Sequence, residues 1–328
     1  MKLAWISELG YKGKLDPKDP NQRVDIVWQI ALETNHHNWV EILENPELLE
    51  QYDAALFVVP KNNPIFISHI IGLVNKTPCK MILVQEGPCW FWQDWSAFFQ
   101  AQYYSLLKVV DGVFVHGNSD KRYYEAIAGR KCYILPTMYN PDYLSTISPK
   151  TTIEGTAIVG GNSGTWYSGE VSASTIRDNP AIKKVLFPTM GRKKEHEDIL
   201  MGMITNKDIQ YLPYQNWTEF IRELGQAQYA IHLMSAAAAG TFNLNCALLG
   251  IPCIGNHLTD TQRICFPDLC CEVTDATKAK ELLTKLTTDK EFYKEVSEKA
   301  KKNAEYFSTK NRVPEVLKNI EGIIYENT

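Results

Sequence analysis

Short apolar runs of strand length recur along the first half of the chain, at residues 3–6, 53–59, 80–84, 109–115 and 132–135. A further strand region is expected at 36–40. Between them lie stretches with helical spacing at 25–33, 64–75 and 96–107, and a helix ending at Ala128 whose N-terminus Ser119 and Asp120 are expected to cap. Apolar runs bounded by turn residues and alternating with helices predict parallel strands joined by crossovers, an α/β fold.

The pattern restarts after a proline-bearing stretch at 143–152, which reads as a linker. Strands are expected at 155–159, 184–188, 209–214, 229–234 and 253–255, and helices at 217–226, 242–249, 276–286 and 290–307. Val313, Val316, Leu317, Ile320, Ile323 and Ile324 fall on one face of a last helix. A chain of 328 residues accommodates two domains of ordinary size. The expected division is an N-terminal domain at 1–145, a C-terminal domain at 153–307 and a terminal helical segment at 308–328.

Composition adds exclusions. With 45% hydrophobic and 22% charged residues and a net charge of −4, the chain reads as a globular protein without a global basic field for nucleic acid. Glu8 interrupts the N-terminus before a signal-peptide core forms, and no apolar run approaches the ~20 residues of a membrane span. The eight cysteines lack zinc-ligand spacing and read as reduced core residues, so a cytoplasmic location without a bound metal is expected. His36 and His37 have no ligand-spaced partner and are expected at the surface.

Candidate chemistry gathers at expected strand ends. Residues 229–256 read as strand, small-residue turn, helix, Gly250-Ile251-Pro252 stop and strand. A turn between a parallel strand and a helix offers backbone N–H groups at the positive end of the helix dipole, a place for a phosphate. Ser235, Gly240, Thr241 and Asn245 are the candidates there. Gly160, Gly161 and Asn162 form a second glycine-rich turn, and Arg192, Lys193 and Arg263 are candidates for diphosphate contacts. A solvated charged turn at 192–194 and an Arg263–Asp260 ion pair are the competing readings. Glu86, Asp94 and His116 are the polar groups at N-terminal strand ends to consider for acid–base work. The aromatic cluster at 90–95 either stacks on a sugar or base or anchors the next helix.

Leu244-Asn245-Cys246-Ala247-Leu248-Leu249-Gly250-Ile251-Pro252 resembles the nucleotide-binding segment of GT-B glycosyltransferases of the large retaining class, family 4-like, with the pattern Leu-Glu-Ala-Met-Ala-x-Gly-x-Pro. Gly240 stands where that class has the glycine of its Glu-x-Phe-Gly turn, while the two glutamates of the class are replaced by Ala237 and Asn245. Val110-Asp111-Gly112-Val113-Phe114-Val115 and Ile134-Leu135-Pro136 are similar to the end of the family's N-terminal domain. The resemblance implies two Rossmann-like domains facing a cleft and a last helix crossing back to the first. It also implies transfer of a sugar, with retention and without a metal, from a UDP- or GDP-linked donor to an acceptor hydroxyl. The nucleotide sugar is then a co-substrate and no cofactor is needed. The acceptor, a glycan, a small molecule or a modified base in DNA, and the oligomeric state stay open. A catalytically inactive GT-B binding module is the alternative that the missing acids raise.

Overall fold

A computed structural model describes residues 1–60, 63–85, 87, 89–160, 167–189, 202 and 206–325. The first half runs β1 (Leu3–Ser7), α1 (Val24–Ala31), β2 (Asn35–Asn38), α2 (Trp39–Glu44), β3 (Ala54–Phe57), α3 (Phe66–Val74), β4 (Lys80–Val84), α4 (Ala97–Val109), β5 (Gly112–Val115), α5 (Asn118–Ala128) and β6 (Tyr133–Ile134). The short α6 (Pro141–Leu144) leads to the second half: β7 (Thr156–Val159), α7 (Gly169–Arg177), β8 (Lys184–Pro188), β9 (Asp208–Leu212), α8 (Trp217–Leu224), β10 (Tyr229–His232), α9 (Thr241–Leu249) and β11 (Cys253–Gly255). It closes with α10 (Asp260–Cys265), α11 (Ala276–Thr288), α12 (Lys290–Ala304) and α13 (Thr309–Tyr325).

The strands form two sheets, a six-stranded one in the order β2-β1-β3-β4-β5-β6 and a five-stranded one in the order β11-β10-β7-β8-β9. Every strand pairing within them is parallel. A parallel sheet must be covered on both faces, and the period-2 alternation shows how. Trp5, Leu56, Ile82 and Phe114 face one core, while Ala4, Ile6, Phe57, Leu83 and Val115 face another. The second sheet has its own core, including Ile158, Leu186, Ile231, Cys246 and Ile254.

Val316, Ile320 and Ile323 of α13 lie in the same core as Trp5, Trp28 and Phe114 of the first half. Gly112 leaves room for this helix, because a Cβ there would sit 2.5 Å from Ile323 Cδ1. Tyr139 already belongs to the second core, together with Ile147 and with Tyr143 and Leu144 of α6 packed against it. The chain therefore meets the second core before the linker expected from its prolines.

Several local expectations need correction. His36 is buried rather than exposed: its ring nitrogens meet Gln29 Oε1 at 2.8 Å and Leu9 O at 3.2 Å. His37 is half-buried against Glu41 and Tyr52. The polar stretch after β11 contains α10, and neither α10 nor α7 has a counterpart in the expected elements. Among the described residues no helix is long and apolar enough to cross a membrane.

Candidate functional site

In the second sheet β7 is flanked by β8 on one side and β10 on the other, so successive crossovers leave it in opposite directions. Open α/β sheets bind ligands beyond the carboxyl ends of the strands at such a switch point. Gly160 follows β7 there, and His232 ends β10. They are in contact: a Cβ on residue 160 would lie 2.6 Å from His232 Cγ. The imidazole is 4% exposed, with Tyr167 stacked at 6.3 Å and Phe242 edge-on at 4.9 Å. Burial holds its pKa down at about 4, opposed by the hydrogen bond to Asn243, so the ring is neutral at ordinary pH.

The turn after β10 delivers α9. Gly240 occupies the N-cap in the left-handed region at φ 71°, which favours glycine, and supplies no side-chain cap. Its carbonyl accepts from Thr261 Oγ1 at 2.9 Å. Thr259 lies against the same glycine, and its buried Oγ1 has no hydrogen-bond partner among the described residues. The first-turn amides of α9 thus meet no capping side chain, the condition for an anion site.

The two halves meet through segments that follow strand ends. Thr218 donates from its backbone nitrogen and its hydroxyl to Pro20 O at 3.0 and 2.8 Å. Trp217 N donates to Asn21 Oδ1 at 3.3 Å, and Thr137 Oγ1 donates to Ala239 O. Asn118 donates to Asp260, from its backbone nitrogen at 3.2 Å and from Nδ2 at 3.0 Å. These donors and acceptors lie after β1, β5 and β6 on one side and after β9, β10 and β11 on the other, so the carboxyl ends of both sheets face a shared region.

No protein-family model matches the chain, and no curated protein is similar to it in sequence. Solved structures are similar to it in fold. Sucrose-phosphate synthase from Thermosynechococcus elongatus superposes with a TM-score of 0.73 at 11% identity, over 98% of this chain and 99% of that one. Anabaena HepE in complex with UDP and glucose gives 0.72 at 9% identity, over 98% and 100%. The S. aureus TarM G117R mutant, solved with fondaparinux, alpha-GlcNAc-glycerol and UDP, gives 0.66 at 10% identity and covers 87% of this chain. This chain spans 58% of that TarM chain. The fold is GT-B. At these identities the likeness concerns the fold alone.

Within the GT-B frame Gly160 directly follows β7, while Ser235 and Gly240 lie in the turn between β10 and α9 and Thr241 opens α9. Asn245 is buried one turn further along α9, and its Oδ1 accepts from Trp217 Nε1 at 3.1 Å, so this oxygen is engaged within the protein. Arg263 pairs with Asp260 at 2.7 Å on the same helix. Gly161, Asn162, Arg192, Lys193 and Glu86 lie outside the described residues. Asp94 is exposed at the end of a 3-10 turn. His116 directly follows β5, buried and stacked on Trp28 at 5.1 Å. The aromatic cluster beside Asp94 is partly core: Trp92 is buried, stacks on Tyr103 at 5.1 Å and donates to Tyr124 OH at 3.2 Å.

Asp120 is not the N-cap expected from sequence. Gly117 holds that position, and Asp120 stands three residues into α5, 3% exposed. Burial, together with the nearby Asp260 charge, pushes its pKa up to about 7. His232 and Thr259 are not among the residues expected at the site, and Asp120 and Asp260 are expected only as a helix cap and as a partner of Arg263, the latter an ion pair that the structure contains. His232 does leave a trace in the sequence, as the one histidine inside the apolar run Tyr229-Ala230-Ile231-His232-Leu233-Met234. Among the described residues no group of three or more His, Cys, Asp or Glu is placed to hold a metal. The cysteines whose side chains are described carry free thiols, all buried except the half-buried Cys270.

Proposed function

We propose that this chain is a glycosyltransferase that binds a nucleotide sugar at the β7–β10 switch point and transfers the sugar to an acceptor hydroxyl presented by the N-terminal half. The observation that carries the reading is the glycine N-cap of α9. It leaves first-turn amides without a capping side chain where the two halves meet, as an anionic diphosphate requires. Electrostatic stabilisation of the departing nucleoside diphosphate by this helix end would be the main catalytic device. Arg192, Lys193 and Arg263 are the basic residues to add to it, with Arg263 released from Asp260. A mechanism of this kind needs no metal and no cofactor, and the resemblance of 244–252 to the large retaining class favours retention of configuration. UDP in the HepE and TarM complexes favours a UDP-linked donor over a GDP-linked one.

The test is a calorimetric panel of UDP-, GDP- and CMP-linked sugars on the wild type and on Thr241→Glu. A carboxylate in the first turn favours the helix by roughly 0.3–1 kcal/mol but repels a diphosphate. The expected result is unchanged or raised thermal stability with at least ~10-fold weaker nucleotide-sugar binding, a loss of about 1.4 kcal/mol. Equal binding by both proteins would remove α9 from the donor site.

A second reading is favoured by one observation. Ala237 offers no acid, and Asn245 Oδ1 is already engaged by Trp217. A GT-B module that binds nucleotide sugar without turnover would retain the affinity and show no transfer or hydrolysis in a product assay.

A further inference from the structure

His232, Asn243 and Gln262 form a buried polar network, 4%, 1% and 0% exposed, running from the end of β10 to α10. Its hydrogen bonds fix one another in order. Gln262 Nε2 donates to two backbone carbonyls, Cys253 O at 2.9 Å and Leu269 O at 3.3 Å, so Oε1 is its acceptor. That oxygen accepts from Asn243 Nδ2 at 2.6 Å, and the same nitrogen approaches Cys253 Sγ at 3.7 Å. Asn243 Oδ1 must then be an acceptor, so His232 Nδ1, at 3.0 Å, carries a proton and donates. With the ring neutral, Nε2 is left as a lone-pair acceptor. It is the one ring atom of the network that is buried without a hydrogen-bond partner among the described residues.

Two glycines make room for this arrangement, one ending β11 and one directly after β7, the two strands beside β10. A Cβ on Gly255 of β11 would lie 2.7 Å from Gln262 Oε1 and 3.0 Å from Asn243 Nδ2. On the β7 side, a Cβ on Gly160 would meet His232 Cγ at 2.6 Å and Cδ2 at 2.7 Å. Cδ2 is bonded to Nε2, and Gly160 also meets His232 Cβ at 2.7 Å, so the glycine packs against the base of the ring on the side away from Nδ1 and Asn243, the side on which the open acceptor lies. A buried acceptor left unmade is unfavourable unless something supplies its donor.

We propose that Nε2 of His232, held as the Nδ1–H tautomer by Asn243 and Gln262, is the hydrogen-bond acceptor for a hydroxyl group of the bound nucleotide sugar. This rests on the donor-site reading above and extends it to the chemistry of the contact. A hydroxyl can donate to a neutral imidazole, whereas an unprotonated phosphate oxygen brings only lone pairs and would first require the ring to take up a proton. Burial works against that change, because the charged ring would be stripped of its hydration; the hydrogen bond from Nδ1 to Asn243 favours the charged ring but is the smaller influence. The hydroxyl comes from the ribose or from the transferred sugar, and both have the same chemistry.

The experiment is ring-nitrogen NMR of the histidines in the 15N-labelled full chain, free, with UDP and with UDP-glucose, alongside calorimetry on the wild type and His232→Phe. His232→Phe keeps an aromatic ring for Tyr167 and Phe242 and removes the acceptor. The expected free spectrum has a protonated Nδ1 and a bare Nε2. Ligand should move the Nε2 resonance in the direction of an accepted hydrogen bond while it stays unprotonated, and His232→Phe should bind about 10-fold more weakly. A shift with UDP assigns the ribose, and a shift only with UDP-glucose assigns the transferred sugar. Protonation of Nε2 on binding overturns the proposal in favour of phosphate. An unmoved Nε2 in a protein that binds UDP-glucose calorimetrically overturns the proposal and leaves the donor-site reading standing, whereas absence of binding to the wild type removes both. Should His232→Phe fail to fold, the wild-type spectra alone decide.

Discussion

Asp260 caps the N-terminus of α5 from the opposite half of the molecule, its carboxylate accepting from both the backbone nitrogen and Nδ2 of Asn118. A helix whose own N-cap is Gly117 therefore gains its acidic cap only when the two halves are together. Gly117 is part of the fit, since a Cβ there would come within 3.2 Å of the Asp260 carboxyl carbon. The price of this cap falls on Asp120, buried in the same helix turn and facing that charge.

That relationship sets a pH dependence. Asp120 has a pKa of about 7 in the folded chain against 3.8 as an ordinary side chain, so the folded state binds the extra proton between these values. Its contribution to stability is therefore greatest below about pH 4 and falls as pH rises toward about 7. Asp120→Asn should remove this slope and be the more stable protein at pH 8, by a few kcal/mol at most, taking about 1.4 kcal/mol per pKa unit. Urea midpoints of both proteins at pH 5 and pH 8 give the comparison. Parallel pH profiles would show that Asp120 is ionised in the folded chain at both values.

The contact between Gly160 and His232 predicts non-additive mutations. Gly160→Ala places a methyl group 2.6 Å from the imidazole and should destabilise by about 1–3 kcal/mol. In a His232→Ala background the ring contacts are gone and only the Cβ of residue 232, 2.7 Å from the new methyl group, remains, so the second substitution should cost less than in the wild type without becoming free. Denaturant unfolding of the four proteins in the cycle measures the coupling, and simple additivity would argue against the packed contact. His232 also has the opposite pH sign to Asp120. Its folded pKa of about 4 lies below the ordinary 6.5, so its contribution is full above about pH 6.5 and is lost as pH falls toward about 4.

The last helix predicts a stability effect far from the site. Ile320 is fully buried in the core it shares with Trp5, Trp28 and Phe114, so Ile320→Ala should cost about 2–5 kcal/mol. Lys318→Ala, on the same helix at an exposed position, should change stability by less than ~0.5 kcal/mol. Calorimetric scans distinguish the two, and equal melting temperatures would mean that α13 contributes little to that core.

Regular elements were legible wherever a local pattern carried the physics. The strand at 80–84 and the Gly250-Ile251-Pro252 stop needed only apolar runs and turn chemistry, which neighbouring residues decide among themselves. α10 was less legible, because Thr259 to Arg263 is polar and its helical state is fixed by buried partners for Gln262 and Thr261. Asp120 shows the same limit: its position in sequence resembles a cap, and only the arrival of Asp260 from another part of the chain decides which carboxylate caps and which is buried.

By itself the sequence determined a repeated α/β alternation, a glycine turn leading into a helix at 240–241, and a last apolar helix face. Tertiary structure decided what those parts do together. It placed β7 beside β10 so that Gly160 receives His232, aligned Asn243 and Gln262 to leave one imidazole nitrogen open, and gave Asn245 to Trp217. Periodicity is a property of neighbours in the chain, whereas a hydrogen bond between residues 118 and 260 depends on how two separately formed sheets come to face each other.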